Sequence, residues 1–193
     1  MSGRFARDIF YFCKTTHLAI SAGVKYNVQN AGPQGPEGGG DMRIVVKVGT
    51  STLAYATGRL NIQRTERLCK VLSDLKNAGH QVILVSSGAI GMGVGKLNLP
   101  GRPADMPGKQ AAAAVGQCEL MYTYDKLFTE YNHTVAQLLL TGEDIKNEQR
   151  SRNVRNTLSR LLELGALPVI NENDAVATDE IGVENTIGEN DTL

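Results

Sequence analysis

Apolar and polar positions along this chain alternate between two rhythms. Ile44-Val45-Val46-Lys47-Val48 is a β-branched run closed by Gly49-Thr50-Ser51, which predicts a buried parallel strand entering a tight turn. Leu68, Val71, Leu72 and Leu75 then recur at helical spacing, and Gly79 stands where that helix would stop. A second strand, Val82-Ile83-Leu84-Val85, leads into the small-residue stretch from Ser86 to Gly95. After Pro107 a long helix carries Leu120, Met121, Tyr124, Leu127 and Phe128 on one stripe, which reads as core. Thr134 to Leu140 form a third strand, ending in Thr141-Gly142-Glu143-Asp144. A further helix carries Val154, Leu158, Leu161 and Leu162 and stops at Gly165, and Ala166 to Ile170 form a fourth strand. Pro168 fits that strand only near its start or at a bulge, because it donates no ladder hydrogen bond.

Strand and helix thus alternate from residue 43 to 170, predicting an α/β fold: a three-layer αβα sandwich around a mainly parallel sheet. In such sheets the carboxyl ends of the strands share one edge, where ligands bind. Lys47, Ser87, Thr141 and the run Asn171-Glu172-Asn173-Asp174 all fall at or just after predicted strand ends. A carboxamide- and carboxylate-rich rim there suits a binding site, although Asn and Asp also make ordinary turns. Val176 to Ile187 are expected to form a hairpin over the site.

Composition narrows the class. At 193 residues and 41% hydrophobic, the chain can bury one substantial core. A formal net charge of zero gives no overall electrostatic footprint for nucleic acid or an anionic membrane. No apolar run approaches the roughly 20 residues needed to cross a bilayer. Cys13, Cys69 and Cys118 are far apart and suggest no disulfide framework, which suits a cytoplasmic, reducing setting; Cys69 and Cys118 read as small core residues. Residues 1–41 differ from the rest, with broken periodicity followed by a Gly/Pro segment, and are expected to be a disordered leader or misread start. Met42 is then a plausible natural beginning. His17, His80 and His133 are isolated, and no metal-ligand cluster is expected.

The chemistry starts from Lys47, a lysine inside an otherwise apolar strand, which calls for an anionic partner or a route to water. Gly49-Thr50-Ser51 beside it supplies backbone and hydroxyl donors of a phosphate-binding turn. At Ser87-Gly88-Ala89 the chain passes from strand to helix, whose free N–H groups could hold a carboxylate. Gly95-Lys96 lacks the frame of a Walker loop, Gly91-x-Gly93-x-Gly95 has the wrong spacing for a dinucleotide fingerprint, and close helix packing accounts for these glycines. Asp174 and Asn190 suit a substrate bearing an ammonium and a carboxylate, and Asp191 could hold lysines around phosphates. Ser87 lacks a nucleophile-elbow frame, so the pattern favours phosphoryl transfer by positioning and charge neutralisation over covalent catalysis.

Taken together, Val46-Lys47-Val48-Gly49-Thr50-Ser51, Ser86-Ser87-Gly88-Ala89-Ile90, the run from Ile170 to Ala177, and Gly188-Glu189-Asn190-Asp191-Thr192-Leu193 resemble the amino acid kinase family, in its glutamate-phosphorylating branch. The resemblance spans residues 42–193 and implies transfer of the γ-phosphate of ATP, with Mg²⁺, to the side-chain carboxylate of L-glutamate as the first step of proline biosynthesis. It implies that Lys47 contacts the transferring phosphate with Gly49 near it, that Ser87, Asp174 and Asn190 bind glutamate, and that Asp191 orients the catalytic lysine. Proline as feedback inhibitor and assembly into homo-oligomers are further implications. Glu189 departs from the aspartate common in the family. The chain also stops at Leu193, before the family's nucleotide-binding half, so it is expected to be an N-terminal part with little activity alone. The other readings are a non-catalytic module that binds glutamate or proline, and a piece of a bifunctional synthase fused to a reductase.

Overall fold

The computed structural model describes residues 24–30, 42–55 and 59–177. Their strands are β1 (Val24–Asn30), β2 (Met42–Val48), β3 (Gln81–Ser86), β4 (Val135–Leu140) and β5 (Leu167–Glu172). The helices are α1 (Thr50–Leu53), α2 (Ile62–Asn77), α3 (Ala89–Lys96), α4 (Met106–Thr129), α5 (Gly142–Lys146) and α6 (Glu148–Glu163). The strand order is β1-β2-β3-β5-β4. β2, β3, β5 and β4 run parallel, and β1 is antiparallel to β2.

This order places the layers. The steps from β2 to β3 and from β3 to β4 advance across the sheet, whereas the step from β4 to β5 runs back. Right-handed crossovers therefore lay α2 and α4 on one face and α6 on the other. The result is the expected α/β sandwich, with a mainly parallel sheet flanked by helices.

Strand periodicity fills the first face. Ile44, Val46 and Val48 of β2, Val82 and Leu84 of β3, and Leu167 and Val169 of β5 are buried against Leu68, Cys69 and Leu72 of α2 and Leu120, Tyr124 and Phe128 of α4. Each such side chain contributes about 1.5–3 kcal/mol of burial. α3 crosses α4 so closely that a Cβ on Gly93 would strike the Ala112 carbonyl, and one on Gly116 would strike the Ala89 carbonyl. Close packing thus explains Gly93, as expected, but not Gly91, where a Cβ would meet only Thr50 Cγ2 at an ordinary 3.7 Å. Among the described residues no helix is long and apolar enough to cross a membrane.

Three differences from the sequence reading have physical reasons. Val24–Asn30, set aside there as part of a leader, forms β1, with Val24 opposite Val48 and Asn30 opposite Met42. Its sequence, VKYNVQN, alternates with period two, and an edge strand needs main-chain pairing on one side only. β5 runs two residues beyond Ile170, because Asn171 and Glu172 stay in register with Leu139 and Leu140 of β4. Cys118 is exposed rather than core, while Cys69 is buried. Pro168 stands near the start of β5 as expected: pairing with β3 begins only at Val169, so the missing N–H costs no bond on that side. The hairpin expected from Val176 lies outside the described residues from position 178 onward.

Candidate functional site

The carboxyl ends of β2, β3 and β5 come out side by side, since Val48 is level with Ser86 and Val85 with Ile170. Lys47, one residue before the end of β2, alternates with the buried Val46 and Val48 and is half-buried on the opposite side of the sheet. Gly49 follows in an extended conformation with φ of −79°, and a Cβ placed there would meet no atom within 4 Å. Among the described residues, neither backbone geometry nor crowding accounts for a glycine at 49.

The neighbouring turn is tied to the end of β2. Both the N–H and the hydroxyl of Ser87 donate to the Val48 carbonyl, each at 3.1 Å. With that proton committed, Ser87 Oγ keeps its lone pairs for a donor, and Thr50 Oγ1 lies 3.4 Å away. Gly88 then takes a left-handed conformation, φ 105°, that turns the chain into α3. Gly88 offers no side-chain cap to α3, and the first N–H groups of a helix have no acceptor within it.

On the other side of the crevice, β5 carries Asn171, which is buried and whose side-chain amide donates to Gln117 Oε1 on α4 at 2.7 Å. Asn173 N–H donates to the Leu140 carbonyl at 2.9 Å, and the Asn173 carbonyl accepts from the N–H groups of Val176 and Ala177. This closed turn presents the half-buried Asp174. Asp174 belongs to the wall of a cavity of about 350 Å³, with Glu172, Asn173, Gln117, Cys118, Met121 and Ala89 among the other residues lining it. That volume is within the range of small-ligand sites.

The sheet therefore brings Lys47, Gly49, Ser87 and Asp174 to one edge. Of these, Asp174 alone is part of the cavity wall. Asn190 and Asp191 lie outside the described residues. Thr141 is at the same edge but serves a helix: its hydroxyl and its N–H donate to Asp144 Oδ2 at 2.7 and 2.8 Å, completing a capping box for α5. Lys96, which lacks the frame of a Walker lysine, pairs with Glu119 at 2.8 Å on the surface. Among the described residues, no group of three or more His, Cys, Asp or Glu could hold a metal ion.

Sequence reading missed Gln117. The signal was present: Ala113, Gln117, Leu120 and Tyr124 succeed one another at spacings of four, three and four, which puts a carboxamide on the buried stripe of α4. Two other buried groups near the edge are chemically quiet. Burial raises the Tyr124 hydroxyl well above the ordinary phenol range, outweighing the opposing hydrogen bond with Ser86. Burial likewise pushes the Cys69 thiol up to about 12, which removes it as a nucleophile near neutrality.

Comparison with known proteins agrees with this architecture. The profile of the amino acid kinase family matches residues 42–193. The chain is 56% identical over 151 residues to a glutamate 5-kinase of Clostridium perfringens, covering 78% of this chain and 56% of that protein. It is 57% identical over 150 residues to a glutamate 5-kinase of Clostridium tetani, covering 78% and 55%. A glutamate 5-kinase of Moorella thermoacetica is 54% identical over 151 residues, covering 78% and 39%. The chain spans about half the length, or less, of these curated relatives.

Proposed function

The chain belongs to the amino acid kinase family, and from that premise we propose that it forms the amino-acid side of a glutamate 5-kinase. The reaction is phosphorylation of the side-chain carboxylate of L-glutamate by ATP, taken as its Mg²⁺ complex. One side-chain carboxylate oxygen attacks the γ-phosphorus, the bond to the β,γ-bridging oxygen breaks, and ADP leaves with the electron pair. The product is an acyl phosphate, the first committed compound on a route to proline. The observation that carries this reading is the convergence of Lys47, Gly49, Ser87 and Asp174 at one sheet edge, beside a cavity of about 350 Å³ that Asp174 helps to line.

In this reading Lys47 neutralises charge on the transferring phosphoryl group, and the open space above Gly49 admits it. Asp174 accepts from the substrate ammonium, Ser87 Oγ offers a lone pair, and Asn190 donates to a carboxylate. Asp191 orients Lys47. Proline, which shares the ammonium and α-carboxylate of glutamate, competes for the same pocket, and the assembled enzyme is a homo-oligomer.

Calorimetric titration of the chain with L-glutamate, L-aspartate and N-acetyl-L-glutamate tests the substrate assignment. Saturable binding of L-glutamate in clear preference to the other two supports it. Preference for either competitor, or no binding by folded protein, overturns it.

A further inference from the structure

Gln117 is eight per cent exposed and belongs to the cavity wall that also contains Glu172 and Asp174. Its carbonyl is engaged by Asn171 at 2.7 Å. Its amide nitrogen Nε2 is buried and, among the described residues, has no acceptor within hydrogen-bond distance. Leaving a buried N–H donor unpaired is costly, since it gives up its bonds to water and gains none inside. A core position facing only apolar neighbours and Asn171 needs one acceptor, not a carboxamide that also carries two N–H donors.

The surroundings indicate which acceptor fits. The cavity wall is acidic where β5 ends, at Glu172 and Asp174, and carries the Gln117 amide on α4. A zwitterionic amino acid matches that division, with its ammonium on the acidic side and a carboxylate toward the amide. Resting on the glutamate reading above, we propose that Gln117 Nε2 donates a hydrogen bond to a carboxylate of the bound amino acid. The Asn171 amide fixes the direction of that donor by holding the Gln117 carbonyl. Gln117 thereby distinguishes a carboxylate from a carboxamide on the ligand. That discrimination has a physical basis: a carboxamide can meet the N–H donor only through its carbonyl oxygen, a neutral acceptor that makes a weaker bond than a carboxylate, and turned the other way it sets donor against donor.

The variant Q117E tests this with little change of shape. It preserves an acceptor for Asn171 and exchanges the unpaired donor for an acceptor. Titrations at pH 8 with L-glutamate, L-glutamine and L-isoglutamine, alongside a thermal melt, give the readout. The expected result is a lowered melting temperature of the free variant, because a carboxylate is now buried beside Glu172 and Asp174, a loss of roughly 10- to 100-fold in L-glutamate affinity, as for a hydrogen bond to a charged group, and a reversed preference for one of the two amides. Parent-like L-glutamate affinity in Q117E overturns the proposal while leaving the glutamate reading intact. So does an unchanged order of ligand preference in folded Q117E, which would assign the donor to an internal acceptor. Failure of the parent to bind L-glutamate overturns both.

Discussion

The hydroxyls of Ser86 and Tyr124 meet at 2.8 Å inside the protein, joining the last residue of β3 to the C-terminal part of α4. Tyr124 is fully buried and packs on Phe128 with ring centroids 6.3 Å apart. The bond therefore sets how the main core helix sits beneath the strand end that leads to Ser87. Replacing Tyr124 by Phe leaves the Ser86 hydroxyl without this partner and is expected to cost about 1–3 kcal/mol in urea denaturation. A Y124F variant as stable as the parent contradicts this assignment.

Alkaline pH should loosen the same core. Burial raises both Tyr124, from 10.0, and Cys69, from 9.0, in the folded protein. The unfolded chain then binds fewer protons than the folded one once its own groups ionise, so the contribution is complete below pH 9 and is lost as pH rises above it. Denaturation midpoints should fall between pH 9 and 11, and less steeply in Y124F than in the parent. In the native state at pH 8 a thiol reagent should label Cys118 and spare Cys69, which becomes reactive on unfolding; mass spectrometry of the peptides reads this directly.

Two kinds of glycine should separate cleanly. Gly93→Ala or Gly116→Ala drives a methyl group into the backbone of the facing helix and should cost at least about 1–3 kcal/mol. Gly49→Ala meets open space at φ −79° and should leave stability within about 0.5 kcal/mol of the parent. Thermal melts of the three variants decide the matter, and a destabilised G49A would show that the fold itself requires that glycine.

The capping box at Thr141 predicts acid sensitivity. The Thr141 hydroxyl and then its N–H hold the Asp144 carboxyl below its usual 3.8, with Arg150 adding to the effect. A depressed folded value stabilises above the unfolded one and is lost as pH falls through the folded value. Stability should therefore drop below about pH 4 by less in D144N than in the parent. Thr141→Ala should cost about 1 kcal/mol near neutrality.

The parallel sheet was legible in the sequence because its strands are buried on at least one face. Ile44 to Val48 and Val82 to Val85 carry enough β-branched and apolar residues to announce themselves. β1 was not, since VKYNVQN owes its place to main-chain pairing with β2, a long-range partnership that composition does not encode. The shared edge was legible where polar residues follow strands, as at Ser87 and Asp174. Thr141 looked equally promising at its strand end, but its hydrogen bonds go to Asp144. Gln117 was hidden for the opposite reason: it stands in the middle of a helix, far in sequence from the rim, and only folding brings it to Asn171.

The central claim is that Asp174 and its cavity recognise L-glutamate. Parallel calorimetric titrations of the parent and of Asp174→Ala with L-glutamate test it most directly, with circular dichroism confirming that both are folded. The account predicts saturable binding by the parent and at least a tenfold loss in the variant, as removal of a charged partner requires. Equal affinity in the two proteins would contradict it.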